Sequence, residues 1–347
     1  MVVDSSVDQA NILVLRTPYL IFLGDITDDT YGKTGKGLVH WSPEKVAGQI
    51  RLSGCAVDLH VPEMTVAEAA AAGVNSLVLG VALIGGKLPP HWIEVIKDAI
   101  DSGMDIVAGM HTRLTDCPEL AAAAKISGSN LVDVRVPPEN IPVASGVKRR
   151  GKRVLMVGTD CAVGKKYSAL ALSAALTDLG LKATFRATGQ TGIMLAGSGI
   201  AVDAVIADFI SGAAEMVSPA NDDDHWDVIE GQGSLFNPGY AGVSLGLLHG
   251  SQPDALVLCH DVARQEIDGW PDYEVPSLDE CMKQNLQAAR LTNKSVKFAG
   301  ISINTSGLPK SDRKTYLNSA AREFDLPCVD PVATGSKAIA QNIAENF

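Results

Sequence analysis

The residues with the clearest chemical signature form a glycine-containing turn near the middle of the chain. This turn, Gly158-Thr-Asp-Cys-Ala-Val-Gly-Lys165, follows an apolar strand-like run at residues 154–157 and precedes a helix-like segment at 165–179. Such a turn points several backbone N–H groups into one concavity, and the dipole of the following helix adds positive potential there. The pattern predicts a site for phosphate oxygens, with the Lys165 ammonium group adding a point charge.

Two departures from the standard phosphate-loop pattern, G-x-x-x-x-G-K-[ST], bear on the chemistry. The spacing from Gly158 to Gly164 is one residue longer, and Lys166 stands where the pattern has a hydroxyl group that ligates Mg²⁺. An ammonium group cannot bind a cation, but it can contact a second phosphate. We therefore expect the turn to bind a phosphorylated cofactor, with no metal required. The expected cofactor-binding residues of the turn are Gly158, Thr159, Asp160, Gly164, Lys165 and Lys166.

Three polar side chains in the second half of the chain are the candidates for catalysis. His260 follows the strand-like run 255–259, at the end of a strand where open parallel sheets bind ligands; it could act as a general base or be a hydrogen-bonded structural histidine. Glu230 ends another strand and could serve as a base, as a metal ligand or as a cap for the glycine-rich turn that comes next. Asp208 could act as a switch carboxylate or cap the turn at Ser211.

Strand-like and helix-like segments alternate along the chain. Short continuous apolar runs, typical of strands buried on both faces, are separated by segments with helical apolar spacing. This alternation predicts right-handed βαβ units and parallel sheets, and hence an α/β fold. The predicted strands are 76–81, 105–108, 131–134, 154–157, 183–186, 228–230, 255–259 and 299–303, and the predicted helices are 91–102, 118–127 and 165–179.

The best candidate for a domain boundary is the Pro137-Pro138 pair with the basic run at residues 148–153. Prolines and a dense charge cluster favour a solvated linker face, although a basic run could also form a phosphate or nucleic-acid patch. We therefore predict two α/β domains in tandem, at residues 1–147 and 148–347.

Composition places the chain among soluble globular proteins. Its 347 residues are 46% hydrophobic, and 29 Lys+Arg against 40 Asp+Glu give a net charge of −11, which argues against a nucleic-acid partner. The six cysteines include no C-x-x-C pair, as expected of reduced thiols. No signal peptide or membrane span is evident. We expect a cytoplasmic protein with no membrane partner, and the apolar N-terminal segments favour a homo-oligomer.

The turn at 158–165 resembles the long-form phosphate loop of dethiobiotin synthetase and its relatives. Further motifs are spread over nearly the whole chain, namely Lys33-Thr34, Gly85-Gly86 with Leu88-Pro89, Gly109-Met-His111, Asp133-Val-Arg135, the same turn at 158–165, Ala187-Thr-Gly-Gln-Thr-Gly192, residues 208–215, 230–235 and 242–250, and Cys259-His260. Together these motifs resemble the DUF1611 family. The resemblance implies a Rossmann-like N-terminal domain with a parallel sheet, followed by a P-loop NTPase-like C-terminal domain.

A characterised branch of this family implies D-glutamate N-acetyltransferase activity with acetyl-CoA as the donor. Coenzyme A carries a diphosphate and a 3′-phosphate, which suit backbone amides together with Lys165 and Lys166. Transfer to an amine also needs a base, donors for the developing oxyanion, and positive groups for the two carboxylates of glutamate.

Under this resemblance, further residues gain expected roles in binding. Arg186 and Arg264 are the expected carboxylate clamps, and either could instead form a surface ion pair. Gln190 is expected to bind the cofactor and Ser234 the substrate, or each to stabilise its turn. His111, in the first domain, could reach the substrate across the cleft.

Two other functions stay open. One is an ATP-dependent ligase or kinase of the dethiobiotin synthetase type, in which Glu230 and Asp208 would hold magnesium. Lys166 speaks against it, although Ser168 could supply a hydroxyl ligand. The other is a non-catalytic nucleotide-binding protein. Cys161 could form an acetyl-thioester intermediate, but a small apolar filler is the favoured interpretation.

Overall fold

The structure, a computed structural model, describes residues 12–81, 88–110 and 112–347. The described residues form two compact units. The first consists of residues 12–138 and 190–201, and the second of residues 139–189 and 202–347. The first unit thus includes a short segment from the second half of the chain. The predicted domain ranges, 1–147 and 148–347, lack this exchange and stay a prediction.

The first unit is built on a parallel sheet. Within its described residues the strand order is β3-β2-β4-β5-β6, and each neighbouring pair is parallel. Every residue of β2 is buried, as expected for a strand covered on both faces. Its elements up to residue 138 are β1 (Leu13–Val14), β2 (Tyr19–Gly24), α1 (Lys33–Trp41), β3 (Val46–Arg51), α2 (Val66–Ala71), β4 (Ser76–Leu79), α3 (Ile93–Asp101), β5 (Asp105–Ala108), α4 (Pro118–Ser127) and β6 (Leu131–Asp133).

The rest of the chain continues the alternation of strands and helices. In the described residues, no helix is both long and apolar enough to cross a membrane. The elements are β7 (Lys152–Gly158), α5 (Lys165–Asp178), β8 (Lys182–Arg186), α6 (Gln190–Ala196), β9 (Ser198–Gly199), α7 (Ile210–Val217), β10 (His225–Ile229), α8 (Ala241–Ser251), β11 (Ala255–Asp261), β12 (Glu266–Ile267), β13 (Trp270–Glu274), α9 (Leu278–Ala289), β14 (Lys297–Asn304), α10 (Lys310–Phe324), β15 (Cys328–Val329) and α11 (Lys337–Asn346).

The second unit is built on a parallel sheet with the strand order β15-β14-β11-β7-β10-β8. Central strand β7 alternates its side chains between two cores: Val154 and Met156 pack with α5 and α11, whereas Leu155 and Val157 pack with helices on the other face. The register pairs Cys259 on β11 with Gly158 on β7. The residues that follow this pair along the two strands, His260 and Thr159, therefore lie side by side. The predicted α/β class with parallel sheets is confirmed.

Helix α6 and strand β9 belong to the first unit, where β9 pairs antiparallel with β1. Polar contacts fix the end of α6 there. Lys45 Nζ donates to the carbonyl oxygens of Leu195, at 2.5 Å, and Ala196, at 2.9 Å, and Ser42 Oγ donates to Leu195 O at 3.1 Å. A cation at the C-terminal end of a helix complements the helix dipole, so Lys45 anchors this segment in the first unit.

The sequence predicts a solvated linker face for the basic run at residues 148–153. For two of its arginines, Arg149 and Arg153, this expectation is wrong. Arg153 is 1% exposed, and its guanidinium donates to backbone carbonyls, among them Ser218 and Pro219. Arg149 donates to Ser218 O and Gly250 O, and burial lowers its pKa to about 10. The fork of guanidinium N–H groups suits such clusters of carbonyl oxygens, which allows Arg153 to be buried and Arg149 to be partly buried.

Candidate active site

The turn between β7 and α5 is shaped by two residues with positive φ. Gly164 has a φ of 103° and Ala162 a φ of 54°. Glycine adopts this region without the steric cost that an L side chain carries. Gly164 directly precedes Lys165, the first residue of α5, so the unpaired N-terminal amides of the helix lie at the turn. This is the strand–loop–helix arrangement of a phosphate loop.

Lys165 is buried beneath the loop, with 6% of its surface exposed. Its Nζ donates to the backbone carbonyl of Asp160 at 2.7 Å. Burial lowers the pKa of Lys165, and the nearby Cys259 and Cys161 oppose this effect. A side chain on Gly231 would place its Cβ 2.9 Å from Lys165 Cδ and closer still to the β7 backbone. Glycine at 231 is therefore what lets the lysine stem and β7 pass so close.

Asp160 ties the loop to the segment before β13. Its carboxylate is fully buried; Oδ1 accepts from Asn237 Nδ2 at 3.0 Å, and Oδ2 accepts from the backbone N–H of Asp268 at 2.8 Å. Arg264 Nη1 lies 3.4 Å from the same Oδ2 and 3.2 Å from Asp268 Oδ1. Both Asp160 oxygens therefore already have partners in the protein, and Arg264 is ion-paired next to the loop.

His260 and Thr159 meet at the carboxyl edge of the sheet, as the register of β11 and β7 requires. Thr159 Oγ1 lies 3.1 Å from His260 Nδ1, and Thr159 O accepts from Ser234 Oγ at 3.1 Å. Burial lowers the pKa of His260, with Asp261 opposing the shift, so the imidazole is neutral near pH 7. The structure thus brings three of the predicted site residues together.

Glu230 comes directly after β10 and lies on the other side of the loop. It is 4% exposed, and its Oε2 accepts from the backbone N–H groups of Thr188 and Gly189, each at 3.1 Å. Burial raises the pKa of Glu230 to about 7, against the opposing charge of Lys166 and these two hydrogen bonds. No described residue donates to Oε1. A buried carboxyl group with one oxygen fixed and one uncommitted, titrating near neutrality, can accept a proton from a ligand.

Lys166 and Ser168 are polar residues of the first turn of α5, just beyond the loop lysine. Burial lowers the pKa of Lys166, and Glu230 opposes this. The Ser168 hydroxyl donates to Gly164 O at 3.1 Å and lies 2.7 Å from Ser302 Oγ, and the residue is 3% exposed. The Ser168 hydroxyl is therefore engaged within the protein. Among the described residues, no group of three or more His, Cys, Asp or Glu side chains could hold a metal ion.

The side chains of the remaining predicted residues make no described contact with this cluster. Arg186 Nε donates to the buried carboxylate of Asp227 at 2.7 Å. Asp208 is exposed on a short turn at 207–209 and has no hydrogen bond or ion pair within the described chain. Gln190 belongs to the first unit, where its buried Oε1 lacks a hydrogen-bond partner. His111 lies outside the described residues.

Cys161 lies in the loop, and burial raises the pKa of its thiol. A thiol is a much weaker nucleophile than a thiolate, so the environment favours the filler interpretation over an acetyl-thioester.

Sequence reasoning missed the residues that orient these groups. Thr188 and Gly189 carry the amides that bind Glu230, and Gln232 donates to Thr188 Oγ1 at 3.1 Å. Asn237 binds Asp160. The glycine-rich motifs around residues 188 and 232 are visible in the sequence, but nothing in their spacing indicates which turns meet.

The chain matches two family descriptions. Residues 142–340 match "Domain of unknown function (DUF1611_C) P-loop domain", and residues 50–137 match "Domain of unknown function (DUF1611_N) Rossmann-like domain".

Similar proteins cover almost the whole chain. It is 50% identical over 331 residues to a D-glutamate N-acetyltransferase of Tritonibacter scottomollicae, and 45% identical over 329 residues to one of a Pseudoalteromonas species. Each match covers 95% of this chain and 99% of the relative. A crystal structure of a DUF1611 family protein from Anabaena variabilis ATCC 29413 is 35% identical, with a TM-score of 0.79 over 95% of this chain and 99% of that one.

These similarities confirm the predicted architecture, a Rossmann-like N-terminal domain and a P-loop C-terminal domain. Because both curated relatives are N-acetyltransferases, they also confirm the predicted enzyme class, an acyltransferase acting on amines. The cytoplasmic location and the homo-oligomer stay predictions. The chain belongs to the DUF1611 family.

Proposed function

We propose that this protein transfers the acetyl group of acetyl-CoA to the amino group of D-glutamate, and that the phosphate loop anchors the phosphates of coenzyme A. The relatives named D-glutamate N-acetyltransferase support the acceptor. The single observation that carries the chemistry is Glu230, a buried carboxyl group beside the loop whose pKa is raised to about 7 and whose Oε1 is uncommitted. An acetyltransferase needs such a base to free the amine of its substrate.

In the proposed reaction, Glu230 takes one proton from the substrate ammonium group. The neutral amine nitrogen attacks the thioester carbonyl carbon, forming the C–N bond and a tetrahedral oxyanion. The C–S bond then breaks, and the departing sulfur takes the second nitrogen-bound proton, which gives the amide and free coenzyme A. The proton held by Glu230 passes to solvent, so one proton is released in each turnover.

Lys165 and Lys166 are the proposed charge partners of the carrier's phosphates. Lys165 Nζ now donates to a loop carbonyl, and this hydrogen bond would exchange for a phosphate oxygen when the carrier binds. Lys166 lies at the next position of α5, within charge range of Glu230. With two ammonium groups and the amides of the turn, we propose that binding requires no metal ion.

The ATP-dependent ligase or kinase is less well supported. Its magnesium would need a hydroxyl ligand near the loop lysine. That position is Lys166, and the Ser168 hydroxyl is engaged with Ser302 and Gly164. For substrate carboxylates, Arg186 and Arg264 remain proposed ligands, each of which would have to share the carboxylate it now holds.

The test incubates purified protein with acetyl-CoA and follows free thiol on adding D-glutamate, L-glutamate or other D-amino acids, with and without EDTA. We expect thiol release that depends on D-glutamate and is unaffected by EDTA. A parallel reaction with Mg-ATP follows phosphate. Phosphate release from Mg-ATP, or no thiol release with any amino acid, would overturn the proposal.

A binding measurement tests the role of the loop independently of turnover. Lys165→Met removes the charge but keeps the stem, and we expect coenzyme A affinity by calorimetry to fall at least about tenfold because phosphate charge is left unpaired. Lys283→Met, on the exposed face of α9, is the matched control and should bind like wild type. Equal affinity of wild type and the Lys165 variant would show that coenzyme A is anchored elsewhere.

A further inference from the structure

Gly189 lies next to two functional groups of the site, the amide of Gln232 and the carboxyl group of Glu230. A Cβ at this glycine would lie 2.6 Å from Gln232 Nε2 and 3.6 Å from Glu230 Oε1. The Gln232 amide thus occupies the place where a side chain of residue 189 would lie, and the uncommitted carboxylate oxygen lies close to the same place. The φ of Gly189 is not in the left-handed region, so the backbone itself does not require glycine here. The reason for glycine is steric, since a side chain here would collide with the Gln232 amide.

The Gln232 side chain is held in place by a chain of hydrogen bonds. Its Nε2 donates to Thr188 Oγ1 at 3.1 Å, and Thr188 Oγ1 donates to the backbone oxygen of Glu230 at 2.7 Å. Ser244 Oγ donates to the backbone oxygen of Gln232 at 2.7 Å. The second N–H of the Gln232 amide has no partner among the described residues. The amide is therefore oriented by the protein while one donor stays available.

We propose that Gln232 is a catalytic residue whose free N–H donates to the carbonyl oxygen of the acetyl thioester as that oxygen becomes negative. This inference rests on the proposed acetyl transfer. Attack by the amine pushes the carbonyl π electrons onto oxygen, and a donor that the protein already holds in place stabilises the oxyanion without reorganisation. Glu230 Oε1, which lies near the same glycine, serves the incoming nitrogen. When the C–S bond breaks, the electrons return from oxygen and the hydrogen bond to Gln232 weakens again.

Gly189 is a steric requirement of the same arrangement. Any larger residue would push the Gln232 amide aside and cover Oε1, so both the donor and the base would be obstructed. Thr188 acts through Gln232 and Glu230 and is a positioning residue.

The decisive variant is Gln232→Met, which removes the donor but keeps length and volume. We expect kcat for thiol release to fall by about 10²–10³, because one oxyanion donor is lost. The KM values of both substrates and the calorimetric affinity for coenzyme A should change less than about threefold, since the bond forms mainly in the transition state. A residue with only a structural role would not give this separation. Gln284→Met, on the exposed face of α9, is the matched control and should match wild type.

Two further variants keep the inference testable if the methionine variant is unstable. Gln232→Glu keeps the shape and removes the donor, and Gly189→Ala leaves Gln232 in the sequence but crowds it; both should lose at least about 10² in kcat. An active wild type with a folded Gln232→Met variant that keeps its kcat within about threefold would overturn this inference and leave the proposed function intact. A wild type that releases no thiol would overturn the proposed function instead.

Discussion

Arg264 Nη1 lies 3.4 Å from Oδ2 of Asp160, a carboxylate with no exposed surface. The sequence predicts that one of these residues contacts the cofactor and the other the substrate, yet they form one ion pair. Because Arg264 also reaches Asp268, the pair connects the phosphate loop to the hairpin of β12 and β13. The shape of the loop thus depends on a charge partner, Arg264, that lies outside the glycine motif.

Arg264→Met should therefore disturb the loop as well as the hairpin. The buried Asp160 carboxylate would keep its bonds to Asn237 and the Asp268 amide but lose its positive partner, which costs about 1–3 kcal/mol of unfolding free energy. We expect a lower urea midpoint and weaker binding of coenzyme A. Arg290→Met, at an exposed position after α9, is the control. Wild-type stability together with wild-type affinity would show that the pair contributes nothing.

Replacement of Glu230 by glutamine should remove the base without changing the shape of the site. We expect kcat to fall by about 10²–10⁴. In wild type, kcat/KM should rise with pH through a midpoint near 7, because the carboxyl group must be ionised to accept a proton and its pKa in the free enzyme is raised to about 7. Stopped assays of thiol release from pH 5 to 9 give the profile. A rate independent of pH across this range would contradict the assignment.

The same carboxyl group should make stability depend on pH. Its pKa is raised from 4.5 to about 7 on folding, so the folded protein binds the proton more tightly and the stabilising contribution is present below pH 4.5. That contribution is lost as the pH rises through 7, at a cost of about 3 kcal/mol. Glu230→Gln should therefore match wild type in unfolding free energy near pH 4 and exceed it near pH 8.5.

Urea titrations of both proteins at the two pH values measure this difference. Glu119→Gln, at an exposed position of α4, supplies the control and should show no such divergence. A constant difference between Glu230→Gln and wild type would mean that folding leaves the pKa of Glu230 unchanged.

The variant His260→Asn distinguishes a general-base role of His260 from a structural role in holding the loop. The asparagine can still bond Thr159, so if His260 mainly holds the loop, kcat should stay within about tenfold of wild type, whereas loss of a general base costs about 10²–10⁴. We expect the smaller effect, because Glu230 has the uncommitted oxygen. A drop beyond about 10³ together with loss of the pH dependence near 7 would transfer the role of base to His260.

The fold could be predicted in large part because its signals are local. The runs at 105–108 and 255–259 correspond to β5 and the greater part of β11, and the helix predicted at 118–127 has the same bounds as α4. The segment that forms β2 stands out in the sequence only for its apolarity. The sequence does not indicate that residues 190–201 belong to the first unit, because this depends on long-range contacts such as that of Lys45 with Leu195.

The site could be predicted only where the chain order itself brings residues together. The loop and the strand ends carrying His260 and Glu230 are consequences of the parallel sheet. The ion-pair partners of Arg186 and Arg264 could not be predicted in this way. They depend on which acidic residue lies next to each arginine in space, namely Asp227 for Arg186 and Asp160 for Arg264. The orientation of Gln232 likewise depends on Thr188, which is distant from it in the sequence.

The membership of α6 in the first unit limits how this protein can be recombined with its relatives. Consider a chimera that takes residues 12–138 from one parent and all later residues from another. In it, Lys45 of one parent would have to bind the C-terminal end of α6, at Leu195 and Ala196, from the other parent. Crossovers that carry residues 190–201 along with the N-terminal half would preserve the native match. Chimeras of this enzyme are therefore best designed so that residues 190–201 come from the same parent as residues 12–138, and residues 139–189 and 202–347 come from the other parent.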